Sequence, residues 1–363
     1  MTTTTQKITH STIHVGSRVP VAPPFDAIRD VVRAEVEAGA ASVWWPDHLL
    51  SFNAPDFWPE RSLSVADVHT YLDPFVCMTA CADVAGDALV GVAVTDAIRR
   101  MPATLAQTAL SIDQIAPSRV VLGLGAGEPA NYTPYGWDVG SPADRLAEAA
   151  TAIRTHFDHA GPDAAGAAMG LRPAPGSRGP QLWLAAHGPR GLALTGAQAD
   201  GWLPYHLDVD EWHRSRDAVR VAATEAGRHD DAVTLGLSVN AVIADDADAA
   251  RAILDHPVVR ALALLFPERW YRRFGFEHPL GSSGLHSLIA TRMGPTLRNA
   301  IDAVPFEVIE AYVPHGSPDD IARHLRRHEG LEHVRLADFA PNAGQASAAA
   351  SRERRAEVMR LVR

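Results

Sequence analysis

Hydrophobic positions along the chain follow two alternating rhythms. In FDAIRDVVRAEVEAG (25–39), Phe25, Ile28, Val32 and Val36 recur at three- or four-residue spacing and the run stops at Gly39. That pattern predicts an amphipathic helix with a glycine end. THSTIHVG (9–16) before it and ASVWW (41–45) after it are short apolar runs of strand type. The alternation recurs. Strands are predicted at 87–94, 118–125, 181–186, 200–205, 233–244 and 333–340. Helices are predicted at 101–117, 141–157, 188–199, 208–227 and 317–330, with Ser141 as N-cap and Pro142 in the first turn of the second of these. Eight short apolar strands, most of them followed by an amphipathic helix, imply a parallel sheet covered by helices. The fold class expected is α/β, a closed (β/α)8 TIM barrel in preference to an open doubly wound sheet.

Residues 49–73 and 256–305 break the rhythm. The first is rich in aromatic and polar residues, and the second is long, aromatic and punctuated by Gly and Pro. They are expected to be loop-like insertions at the C-terminal face, acting as lids on a single domain spanning 1–363.

Composition narrows the function. The chain has 363 residues, 47% of them hydrophobic and 21% charged, as a globular protein with a sizeable core would have. The net charge of −10 argues against a nucleic-acid or anionic-membrane partner. No apolar run approaches the roughly 20 residues of a membrane span, and the start, MTTTTQKITH, lacks the apolar region of a signal peptide. A cytoplasmic protein with reduced thiols, packed or exposed, at Cys77 and Cys81 is expected. No metal site is expected, since His156, Asp158 and His159 lack a ligand spacing. A hydrolase triad is disfavoured because G-x-S-x-G is missing.

In such a barrel the chemistry sits where strands end. Strand 2 runs into Pro46, Asp47 and His48, and strand 3 into Thr95 and Asp96. Strand 4 ends in GLGAGE, with Gly123, Gly125, Gly127 and Glu128, and then Asn131. Strand 5 ends at His187, Gly188, Pro189 and Arg190, and strand 6 at Tyr205 and His206. Asp47 alone could equally cap a helix, and His48 could be an ordinary loop residue. The glycines have G-x-G-x-G spacing and do not make a dinucleotide fingerprint. HGPRG opens a helix directly after a strand, an arrangement suited to phosphate.

SVWWPDHL, GVAVTDAIRRMPATLAQ, VLGLGAGEPANYTPYGW and LWLAAHGPRGLALTGAQADGWLP, in that order, resemble the bacterial luciferase-like superfamily. The resemblance is to its branch using the deazaflavin F420, and within it to the phthiodiolone ketoreductase type. Segments Val94–Ala103, Gly127–Gly136, Ala185–Arg190, Glu277–Gly281 and Gly316–Asp320 carry it, over residues 40–335 or so. The resemblance implies a (β/α)8 barrel with an insertion. It implies F420 as cofactor, with FMN and monooxygenase chemistry as the alternative, and a homodimer. It places Asp47 and His48 beside the deazaflavin ring and a non-prolyl cis peptide at Ala93–Val94 behind it. Thr95, Gly127 and Asn131 would contact the cofactor, and Ala186, His187, Gly188, Pro189 and Arg190 would grip its phosphodiester. Lys7 is the only lysine, which disfavours the sugar-phosphate dehydrogenases of the superfamily.

Hydride transfer between F420 and a ketone or secondary alcohol needs a proton partner for the oxygen. His48 suits that role, and Glu128 is the second candidate if burial raises its pKa. Trp44 and Trp45 alternate across a strand, so only one can face the barrel interior. Trp58, Trp137, Trp202, Tyr205, Trp270 and Phe274 are candidates to line a cleft for a small apolar or aromatic substrate, with core packing as the alternative for each.

Overall fold

A computed structural model describes residues 12–51, 69–137, 140–159, 161–162, 166–282 and 295–363. Its first half runs β1 (His14–Arg18), α1 (Phe25–Glu37), β2 (Ser42–Trp45), α2 (Pro74–Cys81), β3 (Leu89–Asp96), α3 (Pro102–Asp113), β4 (Val120–Gly125) and α4 (Pro142–Asp158). Then come β5 (Gln181–Ala185), α5 (Pro189–Gln198), β6 (Gly201–Trp202), α6 (Val209–Glu225) and β7 (Thr234–Ile243). Among the described residues, α7 (Ala247–Leu254), α8 (Pro257–Ala263), α9 (Glu268–Arg272), α10 (Pro295–Asp302) and α11 (Phe306–Tyr312) follow. The chain ends with β8 (His315–Gly316), α12 (Pro318–Arg326), β9 (His333–Asp338) and α13 (Ala348–Leu361).

β1 to β7 and β9 pair in parallel, each with its neighbour, and β9 pairs with both β7 and β1. Eight strands therefore close into the expected TIM barrel. The two-residue β8 lies outside that ring, beside the end of β7. Ser141 caps α4 through its side chain, as its position predicts.

The interior shows why the cavity opens at one end only. Trp44 of β2 and Trp183 of β5 meet inside the barrel with ring centroids 5.6 Å apart, and His333 stands edge-on to both. Their ring nitrogens are satisfied within the layer: Trp44 Nε1 donates to Ser42 Oγ and Trp183 Nε1 to Gln181 Oε1. Glycines make room for the indoles. A Cβ at Gly91 would lie 2.4 Å from the Trp44 ring, and one at Gly201 would lie 2.4 Å from the Trp183 ring. This plug seals the lower barrel. Trp45, on the opposite face of β2, packs outward among the surrounding helices, which confirms the alternation of the pair.

Segment 256–305 differs from the expected loop. Its described part is mainly short helices, and α8, α9 and α10 join α7, α11, Val242, Ala337 and Phe339 in one buried cluster. Of the other proposed lid, 52–68 lies outside the described residues.

Candidate active site

A cavity of about 650 Å³ opens at the C-terminal ends of the strands, within the range of about 300–1,000 Å³ common for small-molecule sites. Pro46, Asp47, His48, Ala93, Val94, Thr95, Gly127, Glu128, Asn131 and His187 line it, so the strand-end logic gathers most of the predicted residues in one place.

Asp47 does not cap a helix. Its carboxylate is buried and accepts from Thr95 Oγ1 at 2.6 Å, Arg100 Nε at 2.9 Å and Arg99 Nη1 at 3.3 Å. Burial pushes this carboxyl upward, but the Arg100 hydrogen bond, the Arg99 charge and Thr95 outweigh it and hold it below its ordinary range. Arg99 also binds Asp96 through Nε at 2.6 Å. The two arginines of the VTDAIRR stretch thus tie the end of β2 to the end of β3. Thr95 has committed its hydroxyl hydrogen to Asp47, so it offers a ligand only lone pairs.

The peptide between Ala93 and Val94 is cis, as the resemblance implies, and the β3–β4 register shifts between Val92 and Thr95. Glycines opposite accommodate this bulge. A Cβ at Gly123 would fall 2.2 Å from the Val92 carbonyl oxygen, and one at Gly125 would lie 2.9 Å from Val94 Cγ2. GLGAG is therefore a seat for the β3 bulge, and Gly127, at φ +87°, turns the chain toward Glu128.

Asn131 organises the acid–base group. Its Oδ1 accepts from the backbone N–H of Leu49 at 2.6 Å and of Leu50 at 3.0 Å. Those two donors fix the orientation of the amide. Nδ2 then faces His48 Nδ1 at 3.1 Å and Glu128 Oε2 at 3.3 Å. His48 Nδ1 is itself 3.3 Å from Glu128 Oε2. With Nδ1 occupied, Nε2 is the ring nitrogen left for a ligand. Tyr71 flanks the ring at 5.4 Å.

Glu128 departs from the condition set for it as a proton donor. Burial works to raise its carboxyl, yet the His48 charge and hydrogen bond, with Arg99 and Asn131, outweigh that and hold it below its ordinary value. It stands here as a carboxylate partner of His48.

Other expectations are redistributed. Ala186, Gly188, Pro189 and Arg190 do not line the cavity; the last three are exposed at the start of α5, where Arg190 pairs with Asp144 at 2.6 Å. Tyr205 and Trp270 line the cavity. Trp202 instead stacks on Trp212 in the outer core, Trp137 and Phe274 are exposed and away from it, and Trp58 lies outside the described residues. Cys77 and Cys81 are buried free thiols, which burial pushes up to about 12 and about 11.

Several lining residues do not stand at the predicted strand ends: Arg18, Ser238, Asn240, Arg335 and residues 265–270, which lead into α9. Arg335 had a signal, a charged residue inside the apolar run HVRLADFA. In the 265–270 stretch only Trp270 had one, as an aromatic candidate, because the place of this stretch over the barrel depends on how the inserted helices pack.

The chain matches the luciferase-like monooxygenase family over residues 4–332. A phthiodiolone/phenolphthiodiolone dimycocerosates ketoreductase of Mycobacterium sp. (strain JLS) is 31% identical over 332 residues, covering 85% of this chain and 87% of that protein. An F420-dependent hydroxymycolic acid dehydrogenase of Mycobacterium tuberculosis (strain ATCC 25618 / H37Rv) is 31% identical over 231 residues, covering 61% of this chain and 60% of the relative. Among solved structures, an F420-dependent secondary alcohol dehydrogenase in complex with an F420–acetone adduct superposes with a TM-score of 0.73 at 18% identity, covering 97% of this chain and 100% of the other, a likeness of fold. With its barrel, its bulged third strand and these relatives together, the chain belongs to the luciferase-like monooxygenase family, in the branch that holds the phthiodiolone ketoreductases.

Proposed function

We propose that the protein is an F420-dependent oxidoreductase that transfers a hydride between the deazaflavin and a ketone or secondary alcohol. One observation carries this reading: His48 faces the cavity beside the Ala93–Val94 bulge with Nδ1 held by Asn131 and Glu128, leaving Nε2 toward the space above the barrel. The names of the relatives support the cofactor.

The residues fit such a group. Ala93 and Val94 form a convex apolar wall, seated on glycines that admit no Cβ, against which a flat ring system can rest. Asp47, Thr95, Gly127 and Asn131 would surround its ring, and Ala186, His187, Gly188, Pro189 and Arg190 would meet its phosphodiester at the start of α5. Bound there, the deazaflavin supplies the two-electron hydride chemistry.

The side chains manage the proton. His48 Nε2 exchanges it with the substrate oxygen. When the ring is doubly protonated, Nδ1–H donates to Glu128, whose ionised state stabilises the imidazolium. When Nε2 has given up its proton, Nδ1 keeps its hydrogen and still donates to Glu128, whose carboxylate also accepts from Asn131 Nδ2. The inserted stretch 265–270 walls the cavity and limits water access.

Titrating the protein with F420 and with FMN, followed by absorbance and thermal shift, tests the reading. F420 should bind and FMN should not. Tight FMN binding without F420 binding would sink it in favour of the flavin monooxygenase alternative.

A further inference from the structure

Four arginines and four carboxylates line the cavity, and they do not cancel. Asp47 and Asp96 are held by Arg99, Glu128 pairs with His48, Glu268 pairs with Arg272, and Arg269 turns to Glu211. Arg18 and Arg335 remain. Neither has a carboxylate partner among the described residues.

Arg335 projects into the barrel from β9 and is only 6% exposed. Its Nη1 donates to Ser238 Oγ at 3.0 Å and to Asn240 Oδ1 at 3.4 Å, both neutral acceptors, and its Nε is buried without any acceptor. Arg18 ends the adjacent strand β1 and lines the same space, close enough for the two cations to repel. Burial and Arg18 pull the Arg335 guanidinium down to about 9, which leaves it a cation at neutral pH. Tyr205 stands beside them. Its oxygen accepts from Asn240 Nδ2 at 2.5 Å, so its own hydrogen is left to donate elsewhere.

A purely structural role accounts poorly for this arrangement. The plug below is aromatic, and a neutral side chain could continue it without repulsion. An unpaired buried guanidinium is strongly unfavourable, and two side by side are worse. Local rules are broken in this way where a ligand completes the site.

We propose that Arg18 and Arg335, with the Tyr205 hydroxyl, form a carboxylate-binding subsite at the floor of the cavity, so that the substrate is an acid with an apolar body. The planar guanidinium matches a carboxylate through two parallel hydrogen bonds. The ketone or secondary-alcohol part of that substrate rests on the function proposed above; the carboxylate part does not.

Calorimetric titration of the full chain, with and without F420, compares 4-phenylbutyrate with 4-phenylbutyramide. The acid should bind about 10–100-fold more tightly than the amide, the value of charge-assisted hydrogen bonds to one group. Arg335→Gln and Arg18→Gln should each remove that preference and leave the F420 affinity unchanged. Arg18→Gln, at a half-buried position, keeps the test open if Arg335→Gln does not fold. Equal binding of acid and amide by the unsubstituted protein overturns the subsite, as does a preference that survives in the folded variants. A loss of F420 affinity without any acid preference also overturns it, by assigning the arginines to the cofactor. A preserved acid preference in a protein that binds no F420 sinks the proposed function and leaves the subsite standing.

Discussion

His48 owes its usefulness to the two neighbours behind its Nδ1. Glu128 accepts from Nδ1–H while Asn131 Nδ2 donates to the same carboxylate oxygen, so Nε2 can gain or lose a proton without stranding the other nitrogen. Removing the imidazole with His48→Ala should lower kcat by about 10²–10⁴-fold, the usual share of a general acid–base group, with little change in the F420 dissociation constant. Undiminished turnover would take His48 out of the mechanism. Asp47 acts differently, as a structural anion. Its folded pKa is depressed, so its pairing contributes stability that is complete above about pH 4 and is lost as pH falls through the lowered value. Asp47→Asn should therefore destabilise the protein at neutral pH, by about 3–5 kcal/mol if Arg100 is left unpaired. It should also flatten the acid limb of a melting-temperature series; an unchanged limb would assign that limb to other groups. At this scale the sequence was legible as a set of positions. Asp47, His48, Glu128 and Asn131 all stand where strand ends put them. Their charge states were not legible, because a carboxyl's pKa depends on which cations surround it, and Arg99 and Arg100 are about 50 residues away from Asp47.

Among elements, β2, β3 and β4 form one device. Trp44 fills the barrel because Gly91 leaves space, and the β3 bulge sits where it does because Gly123 has no side chain. Gly91→Ala should force the indole to move and cost about 1–3 kcal/mol in a denaturant melt, as overpacking does. Gly123→Ala meets a backbone oxygen that cannot rotate away, so it should abolish F420 binding as well as lower stability. A variant that binds F420 normally would show that the bulge is not needed. The eight barrel strands were readable from apolar runs, although β6 spans only Gly201–Trp202 of the expected 200–205. Segment 256–305 was misread for a physical reason. α8, α9 and α10 begin at or just after Pro257, Pro267 and Pro295. Proline at a helix start is favourable, yet in a short helix it looks like loop punctuation.

For the whole molecule, the inserted helices and the barrel share a core, since Val242, Ala337 and Phe339 belong to the same buried cluster as α7 to α11. We therefore expect one unfolding transition by circular dichroism and by tryptophan fluorescence. Trp183→Ala in the barrel and Trp270→Ala in the insertion should both lower that single transition, by about 3–5 kcal/mol each. Two separated transitions would instead mark the insertion as an independent unit. Local order was decided by the sequence alone: strand, helix and strand end follow from spacings of two to four residues, and the barrel follows from their repetition. Partnership was decided only by the tertiary structure. Whether Glu128 is an acid or a carboxylate, and whether Arg18 and Arg335 are paired, depends on through-space distances between strand ends that are far apart in the sequence. Electrostatic energy follows those distances and the burial around them, and neither is written in local sequence.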